Sequence, residues 1–314
     1  GKWGLGEPMT EGTPNRQGFD EWFGYLNQRR AHSFYPTFIW LNEGRFDLPG
    51  NADGKKQQYT HDLFTGFALS FIRKNQDKPF FLYLPYTVPH AQFEIPDLGP
   101  YENKGWPKQA KVYAAMITRM DDHIGKIMAL RKELLIDKKT IVFFCSDNGP
   151  EGKAGSAPGT AAHFSGRKRS LLEGGIRVPG IVEWPGRVKT DRTTDIPCVT
   201  SDYLPTIIDL VSAKPVANRP IDGISLVPLL DGKLRKRGQP IGFESKGQLA
   251  WIDGRYKLYR NSSTAAEFML FDLVADPSEK TDLAKAKPNL AKRLIGELAA
   301  WRASCQASAT GKDY

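Results

Sequence analysis

Cysteine is scarce in this chain: three in 314 residues, at Cys145, Cys198 and Cys305. None stands in a Cys-x-x-Cys pair, which excludes a zinc ribbon or a thioredoxin-type redox motif, and an odd count argues against a disulfide framework. Long apolar runs are missing as well. No window approaches the roughly eighteen consecutive apolar residues that a spanning helix needs. No leader pattern precedes Gly1-Lys2-Trp3 and there is no initiator Met, so the natural start is expected upstream. Acidic residues are outnumbered, 35 against 44 Lys and Arg, for a formal charge of +9. The basic residues are dispersed in short groups such as Arg29-Arg30, Lys55-Lys56 and Arg167-Lys168-Arg169. No nucleic-acid-binding signature accompanies them, so they read as a solvated surface, with attraction for a sulfated or phosphorylated polymer as the functional alternative.

What is present fits a globular α/β protein. The apolar share is 40% and the charged share 25%. The first stretch, through Pro49, is rich in glycine and aromatics and reads as long loops, which in compact domains tend to be functional. Leu63, Phe64, Phe67, Ala68, Phe71 and Ile72 form a helical stripe over residues 59–74, with Thr60 as N-cap. Phe80–Leu84 is an apolar run expected as a buried strand. Tyr113, Met116, Ile117, Met120, Ile124 and Ile127 mark a second helix over 108–134. Thr140–Cys145 is β-branched and aromatic, hence a further strand with Cys145 buried at its end. Strand, helix, strand in that order predicts a parallel βαβ unit. Val178–Trp184 is a third strand and 200–213 a helix. After Asp231-Gly232, short alternating segments predict an antiparallel meander, closed by a helix over 288–302 and a frayed tail from Ser304. The domain reading is 1–232 for the large domain and 233–314 for the antiparallel subdomain.

Several residues stand where chemistry is commonly done. Asp147-Asn148-Gly149 follows the strand 140–146; a carboxylate and an amide oxygen side by side suit a hard cation such as calcium, and the same triplet is also ordinary turn chemistry. His90 follows the run at 80–85 and is placed either to donate a proton to a leaving oxygen or to hold a backbone group. Lys168, upstream of the Gly174-Gly175 bend, is either a point charge for an oxyanion or part of a solvated patch. Arg177 beside Glu173 reads as a structural ion pair. Lys2 by itself carries no signal.

Taken together and in order, these pieces resemble a formylglycine-dependent, arylsulfatase-like sulfatase of the alkaline phosphatase superfamily. Gly1-Lys2-Trp3-Gly4-Leu5-Gly6 is similar to that family's Gly-Lys-Trp-His-Leu-Gly signature. Val88-Pro89-His90, Ser146-Asp147-Asn148-Gly149, the run from Lys168 to Gly186, the run from Pro220 to Gly232 and the run from Leu270 to Ala284 resemble its later motifs. The likeness covers essentially the whole chain. It implies an alkaline-phosphatase-like α/β sandwich with a mostly parallel central sheet, followed by a small C-terminal antiparallel sheet and helix. It implies hydrolysis of a sulfate ester, possibly of a sulfated carbohydrate. Lys2 and Lys168 would bind the sulfate oxygens, Asp147 and Asn148 would hold Ca2+, and His90 would act as general acid. His32, in Ala31-His32-Ser33-Phe34-Tyr35, would line the substrate pocket. Periplasmic or secreted localisation and a sulfated small molecule or polysaccharide as partner go with the resemblance, without nucleic acid or a membrane span.

The chain departs from the family pattern in two places. Gly4 replaces the histidine that assists the hydrated aldehyde nucleophile. The nucleophile motif, Cys or Ser followed by x-Pro-x-Arg, is absent, along with the N-terminal Asp pair of the metal site. Ser156-Ala157-Pro158-Gly159-Thr160 lacks the Arg and lies after the metal pair, and Asp121-Asp122 falls inside the second helix facing solvent. The chain alone is therefore expected to be aggregation-prone and catalytically silent. A phosphodiesterase or phosphonate hydrolase of the same superfamily, or a non-catalytic binding protein on this scaffold, are the competing functions.

Overall fold

Helices whose apolar side chains recur every three to four residues, and strands whose side chains alternate, divide between two compact units, Gly1–Thr140 and Ile141–Tyr314. The computed structural model describes residues 1–151, 159–214, 220–265 and 267–313.

In the first unit, the stretch expected as loops holds a small antiparallel sheet: β1 (Phe23–Gly24), β2 (Phe38–Leu41) and β3 (Gly44–Asp47), in that order. The strands are so short that period-2 alternation is hard to see from the sequence. Helix α1 (Thr60–Asn75) buries Phe64, Ala68 and Ile72, as the stripe requires. Thr60 is its first residue and not its cap; its hydroxyl is occupied by the Tyr25 hydroxyl at 2.8 Å and the Phe34 carbonyl at 3.2 Å. Helix α2 (Lys108–Glu133) buries Val112, Ala115, Met116, His123 and Leu130, while Ile117 is exposed, so the buried face is turned from the expected one. Asp121 and Asp122 do face solvent. Phe80–Leu84 belongs to no ladder among the described residues, and Phe81 and Tyr83 are exposed. An apolar run becomes a strand only where a neighbouring backbone pairs with it.

A polar seam between α1 and α2 explains why a histidine is buried there. Thr65 Oγ1 contacts His123 Nδ1 at 2.8 Å and the Tyr86 hydroxyl at 2.7 Å, while Arg119 and Asp62 form a bidentate pair at 2.7 Å for each bond. His61 is fully buried and stacks on His123 with 4.8 Å between centroids. Neither of its ring nitrogens has a hydrogen-bond partner among the described residues. Burial first, and the His123 ring second, push the His61 imidazole down to about 3. A base depressed in the folded state lends stability that is whole above its unfolded value and drains away as pH falls toward its folded value. We expect this residue to remove about 2 kcal/mol of stability from about pH 6.5 to about pH 5, at about 1.4 kcal/mol per pH unit. His61→Leu removes two unsatisfied nitrogens and should flatten that slope in urea titrations followed by tryptophan fluorescence. Identical slopes in the two proteins would rule the argument out.

The second unit holds two sheets. β4 (Val142–Cys145) pairs antiparallel with β5 (Gly180–Glu183), Cys145 opposite Gly180. The predicted βαβ pairing thus has no counterpart among the described strands; the named ladders are antiparallel, and a parallel contact occurs at the Lys2–Tyr25 bridge of the first unit. All three cysteines are free, and Cys145 is half-buried, not buried. A short helix α3 (Glu173–Ile176) precedes β5; α4 (Tyr203–Leu210) and α5 (Val227–Leu230) follow it. Asp202 ties that region together: Arg237 grips it with bonds of 2.7 and 2.9 Å, and it accepts the Val199 and Ile224 amides at 2.9 Å each.

The meander is as predicted: β6 (Ile241–Ser245), β7 (Gln248–Asp253), β8 (Tyr256–Arg260) and β9 (Met269–Asp272), antiparallel in sequence order. The β6–β7 turn is Lys246-Gly247 with φ of 49° and 81°. That two-residue left-handed geometry matches the twist of the strands it joins. Helix α6 (Pro288–Ala309) covers one face, where Leu249, Trp251, Leu258 and Leu270 meet Ala291, Leu294 and Leu298. It continues seven residues beyond the expected end at 302, so the frayed tail is mostly helix. On the opposite face Ala250, Tyr259 and Phe271 pack on Leu171.

Candidate active site

The residues singled out from the sequence form two groupings, each within its own unit. In the first unit, the segment Gly1–Gly4 runs beside Gly24–Leu26. Tyr25 donates its amide to the Gly1 carbonyl at 2.9 Å, Trp3 donates to Tyr25 at 2.9 Å and Gly4 donates to Leu26 at 3.0 Å. A side chain at Gly24 would overlap the Gly1 carbonyl, so only glycine permits this approach. The Lys2 amide donates to the Pro85 carbonyl at 3.1 Å, which fixes Lys2 next to the segment leading to His90. His90 stacks on His32, with centroids 4.6 Å apart and 16° between planes. Its Nδ1 lies 2.6 Å from the Ala91 carbonyl oxygen. A carbonyl can only accept, so Nδ1 carries a proton there, and the ring's orientation is set by its own backbone.

In the second unit, the chain leaves β4 into Ser146–Gly149. Asp147 is exposed and Asn148 half-buried. Asn148 Nδ2 donates to the Gly149 carbonyl at 2.9 Å and the Ser146 hydroxyl donates to the Asn148 carbonyl at 3.0 Å. With its nitrogen so committed, Asn148 offers its Oδ1, and Asp147 its carboxylate, as hard oxygen donors. That donor set fits part of a calcium shell, which takes about six to eight oxygens. No group of three His, Cys, Asp or Glu poised for a metal occurs among the described residues. Gly149 donates to the Gly175 carbonyl at 2.9 Å, and a Cβ at Gly149 would collide with the Gly174 carbonyl. The Lys168 amide donates to the Pro150 carbonyl at 3.1 Å, so the backbone brings Lys168 to the same loop as the Asp147–Asn148 pair.

Glu151 is a participant that the sequence reading passed over. It pairs with Lys168 at 3.0 Å and with Arg169 at 2.7 Å. Burial opposes its ionisation, but the bonds from Arg169 and Lys168 prevail and hold its carboxyl at about 2. The Lys168 ammonium therefore faces a fixed carboxylate, which orients it and shares its charge. Arg177 sits 3.7 Å from Glu173, the structural contact anticipated, although Glu173 is held more closely by Lys257 at 2.9 Å.

Gly4, where the family signature has histidine, adopts φ of 79°, a left-handed conformation that any other residue enters at a cost. A Cβ there would lie 2.5 Å from Gln28 Nε2. The left-handed backbone favours glycine at this position, whereas the Gln28 contact is with the end of a flexible side chain that can turn away. Ser156–Pro158, the rejected nucleophile look-alike, lies outside the described residues.

A family model described as Sulfatase matches residues 1–213, and one described as N-sulphoglucosamine sulphohydrolase, C-terminal, matches residues 162–303. The chain is similar to the N-acetylgalactosamine-6-sulfatase of Canis lupus familiaris, 33% identical over 277 residues, covering 82% of this chain and 51% of the relative. It is 32% identical over 213 residues to the steryl-sulfatase of Homo sapiens, covering 65% of this chain and 35% of that one. Among solved structures, that of Ps i-CgsB in complex with k-i-k-neocarrahexaose aligns with a TM-score of 0.83 at 27% identity, over 96% of this chain and 70% of that chain. The chain spans about half the length of the curated relatives it matches first.

Proposed function

This chain belongs to the sulfatase family, and from that premise we propose that the protein hydrolyses a sulfate ester on an acidic carbohydrate. Lys2 and Lys168 would hold the sulfate oxygens as point charges, and His90 would hand a proton to the bridging oxygen as the S–O bond lengthens. Asp147 and Asn148 would be two of the ligands to Ca2+, which when bound supplies positive charge to the sulfate oxygens. The observation that carries the reading is the Ser146–Gly149 loop. It joins a carboxylate, an amide oxygen and, through the Pro150 carbonyl, the segment of Lys168, all inside the part of the chain that the sulfatase model matches. The carbohydrate class is supported by the names of two relatives, one a hexosamine sulfatase and one bound to a neocarrahexaose. A polymeric substrate would be met outside the cell, which agrees with the expected export. No helix among the described residues is long and apolar enough to cross a membrane.

The test is release of inorganic sulfate by the native gene product from a sulfated galactan oligosaccharide and from 4-nitrophenyl sulfate. Release should fall to background after dialysis against a calcium chelator and return with calcium. Phosphate released from a phosphodiester or a phosphonate monoester faster than sulfate from either substrate would overturn the proposal.

A further inference from the structure

The first unit contains a cleft of about 760 Å³ that none of the residues proposed for the sulfate site lines. That volume lies in the range of about 300–1,000 Å³ common for ligand sites. Its wall carries Arg29, Arg30, Asn27, Tyr35, Phe38 and Trp40. The two arginines differ in their commitments. The Arg30 guanidinium lies 3.8 Å over the Phe38 ring, a stack that orients its fork without neutralising it. The exposed Arg29 side chain has no hydrogen bond, ion pair or ring contact among the described residues; only its backbone is engaged, its amide by Asn27 Oδ1 at 2.9 Å and its carbonyl by the His32 amide at 3.2 Å. The acidic residue on the wall, Glu7, accepts a hydrogen bond from the neutral Asn27 Nδ2 at 3.1 Å and keeps its charge, so the wall carries two positive charges against one negative. Arg45, which also lies over Phe38 at 4.0 Å, is balanced by Asp47 at 2.6 Å. The cleft thus presents two guanidinium forks with no direct ion pair among the described residues, a net excess of positive charge over Glu7, beside half-buried Tyr35, Phe38 and Trp40.

Its position relative to the candidate site is set by one turn of 3-10 helix. Arg30 and His32 are the ends of that turn: Arg30 stands on the cleft, and His32 carries the ring stacked on His90 at 4.6 Å. Ser33, next in the chain, is again on the cleft wall. Two residues of backbone thus separate the cleft wall from the ring that stacks on His90.

We propose that this cleft binds a second anionic group, a sulfate or a carboxylate, on the sugar next to the one being desulfated, so that the preferred substrate is an oligosaccharide with charge on consecutive residues. The chemistry is specific to that class. Planar guanidinium forks match tetrahedral sulfate oxygens or a carboxylate through paired N–H donors, and indole or phenol faces pack on the C–H faces of a pyranose ring. An apolar ligand would leave both guanidiniums desolvated without a partner, and a cation would be repelled.

The inference deepens the proposed sulfatase reading, but binding can be measured without turnover. Calorimetric titration of a sulfated galactan hexasaccharide into the native protein at low salt should give a dissociation constant that rises about 10- to 100-fold in Arg29→Gln, the loss expected for charge-assisted bonds to an anion. The same hexasaccharide after chemical desulfation should bind weakly and equally to both proteins. Arg30→Lys, which keeps charge but loses the stacked fork, should show an intermediate loss. Hydrolysis of 4-nitrophenyl sulfate, which has no second anion, should be unchanged in Arg29→Gln. Equal affinity of wild type and Arg29→Gln for the sulfated hexasaccharide would overturn the cleft assignment, whatever the aryl sulfate result. Loss of hexasaccharide affinity without any aryl sulfate turnover in either protein would leave the cleft standing and remove the hydrolase reading.

Discussion

Lys257→Met is expected to destabilise the second unit by about 3–5 kcal/mol, the cost of leaving buried carboxylates without their counter-charge. Lys257 is completely buried on β8, with Nζ 2.9 Å from Glu173 and 2.8 Å from Glu279. Glu279 also accepts the Glu173 amide at 2.7 Å, so the three residues close a ring across three distant segments. Burial pushes the Glu279 carboxyl up even though Lys257 draws it down, which shows how dry the site is. With methionine at 257, two carboxyl groups would share an apolar pocket, and at least one would stay protonated at neutral pH. Lys257→Met combined with Glu173→Gln and Glu279→Gln should recover most of the loss, because a neutral site of similar volume carries no unpaired charge. Urea unfolding of the three proteins measures this. A loss below about 1 kcal/mol in the single variant would mean that water enters the site and the ring is not buried in solution. The effect should reach the candidate site, since Gly175, two residues from Glu173, accepts the amide of Gly149.

In the native gene product, His90→Ala is expected to lower kcat on a sugar sulfate by about 100- to 10,000-fold, the usual worth of the general acid that we propose it to be. The size should depend on the leaving group. An alkoxide leaves as a strong base and needs the proton, whereas 4-nitrophenolate leaves readily without it. On 4-nitrophenyl sulfate the same variant should lose about tenfold or less, since little protonation is required there. Comparing kcat for the two substrates in both proteins separates proton donation from a structural role. Equal losses on both would assign His90 to structure alone. His32→Gln removes the ring stacked at 4.6 Å and should weaken substrate binding more than it slows the chemical step.

Much of the architecture was legible from local pattern. The α1 stripe predicted a helix at 59–74 that is found at Thr60–Asn75, because apolar spacing near 3.6 residues states its own face. The meander was legible for the same reason: turn residues such as Asp253-Gly254 separate short alternating runs, and β6 to β9 pair in order. The family was legible because its motifs are short and co-linear. Phe80–Leu84 shows where local pattern stops: its composition is that of a strand, but a ladder needs a partner backbone, which the segment does not itself encode.

The chain by itself therefore determined the helices, the meander, the family and the residue types available for anion and cation binding, since each is written in a few neighbouring positions. Only the tertiary structure decided which of those residues matter to one another. It set Lys257 against Glu173, 84 positions away, laid His32 on His90, turned Arg29 and Arg30 from a dispersed basic pair into a cleft wall, and put Gly4 in a left-handed backbone that favours glycine. The physical reason is range. Periodicity and turn chemistry act over a few bonds, whereas burial, ion pairing and ring stacking act through space between segments that only the folded chain brings together.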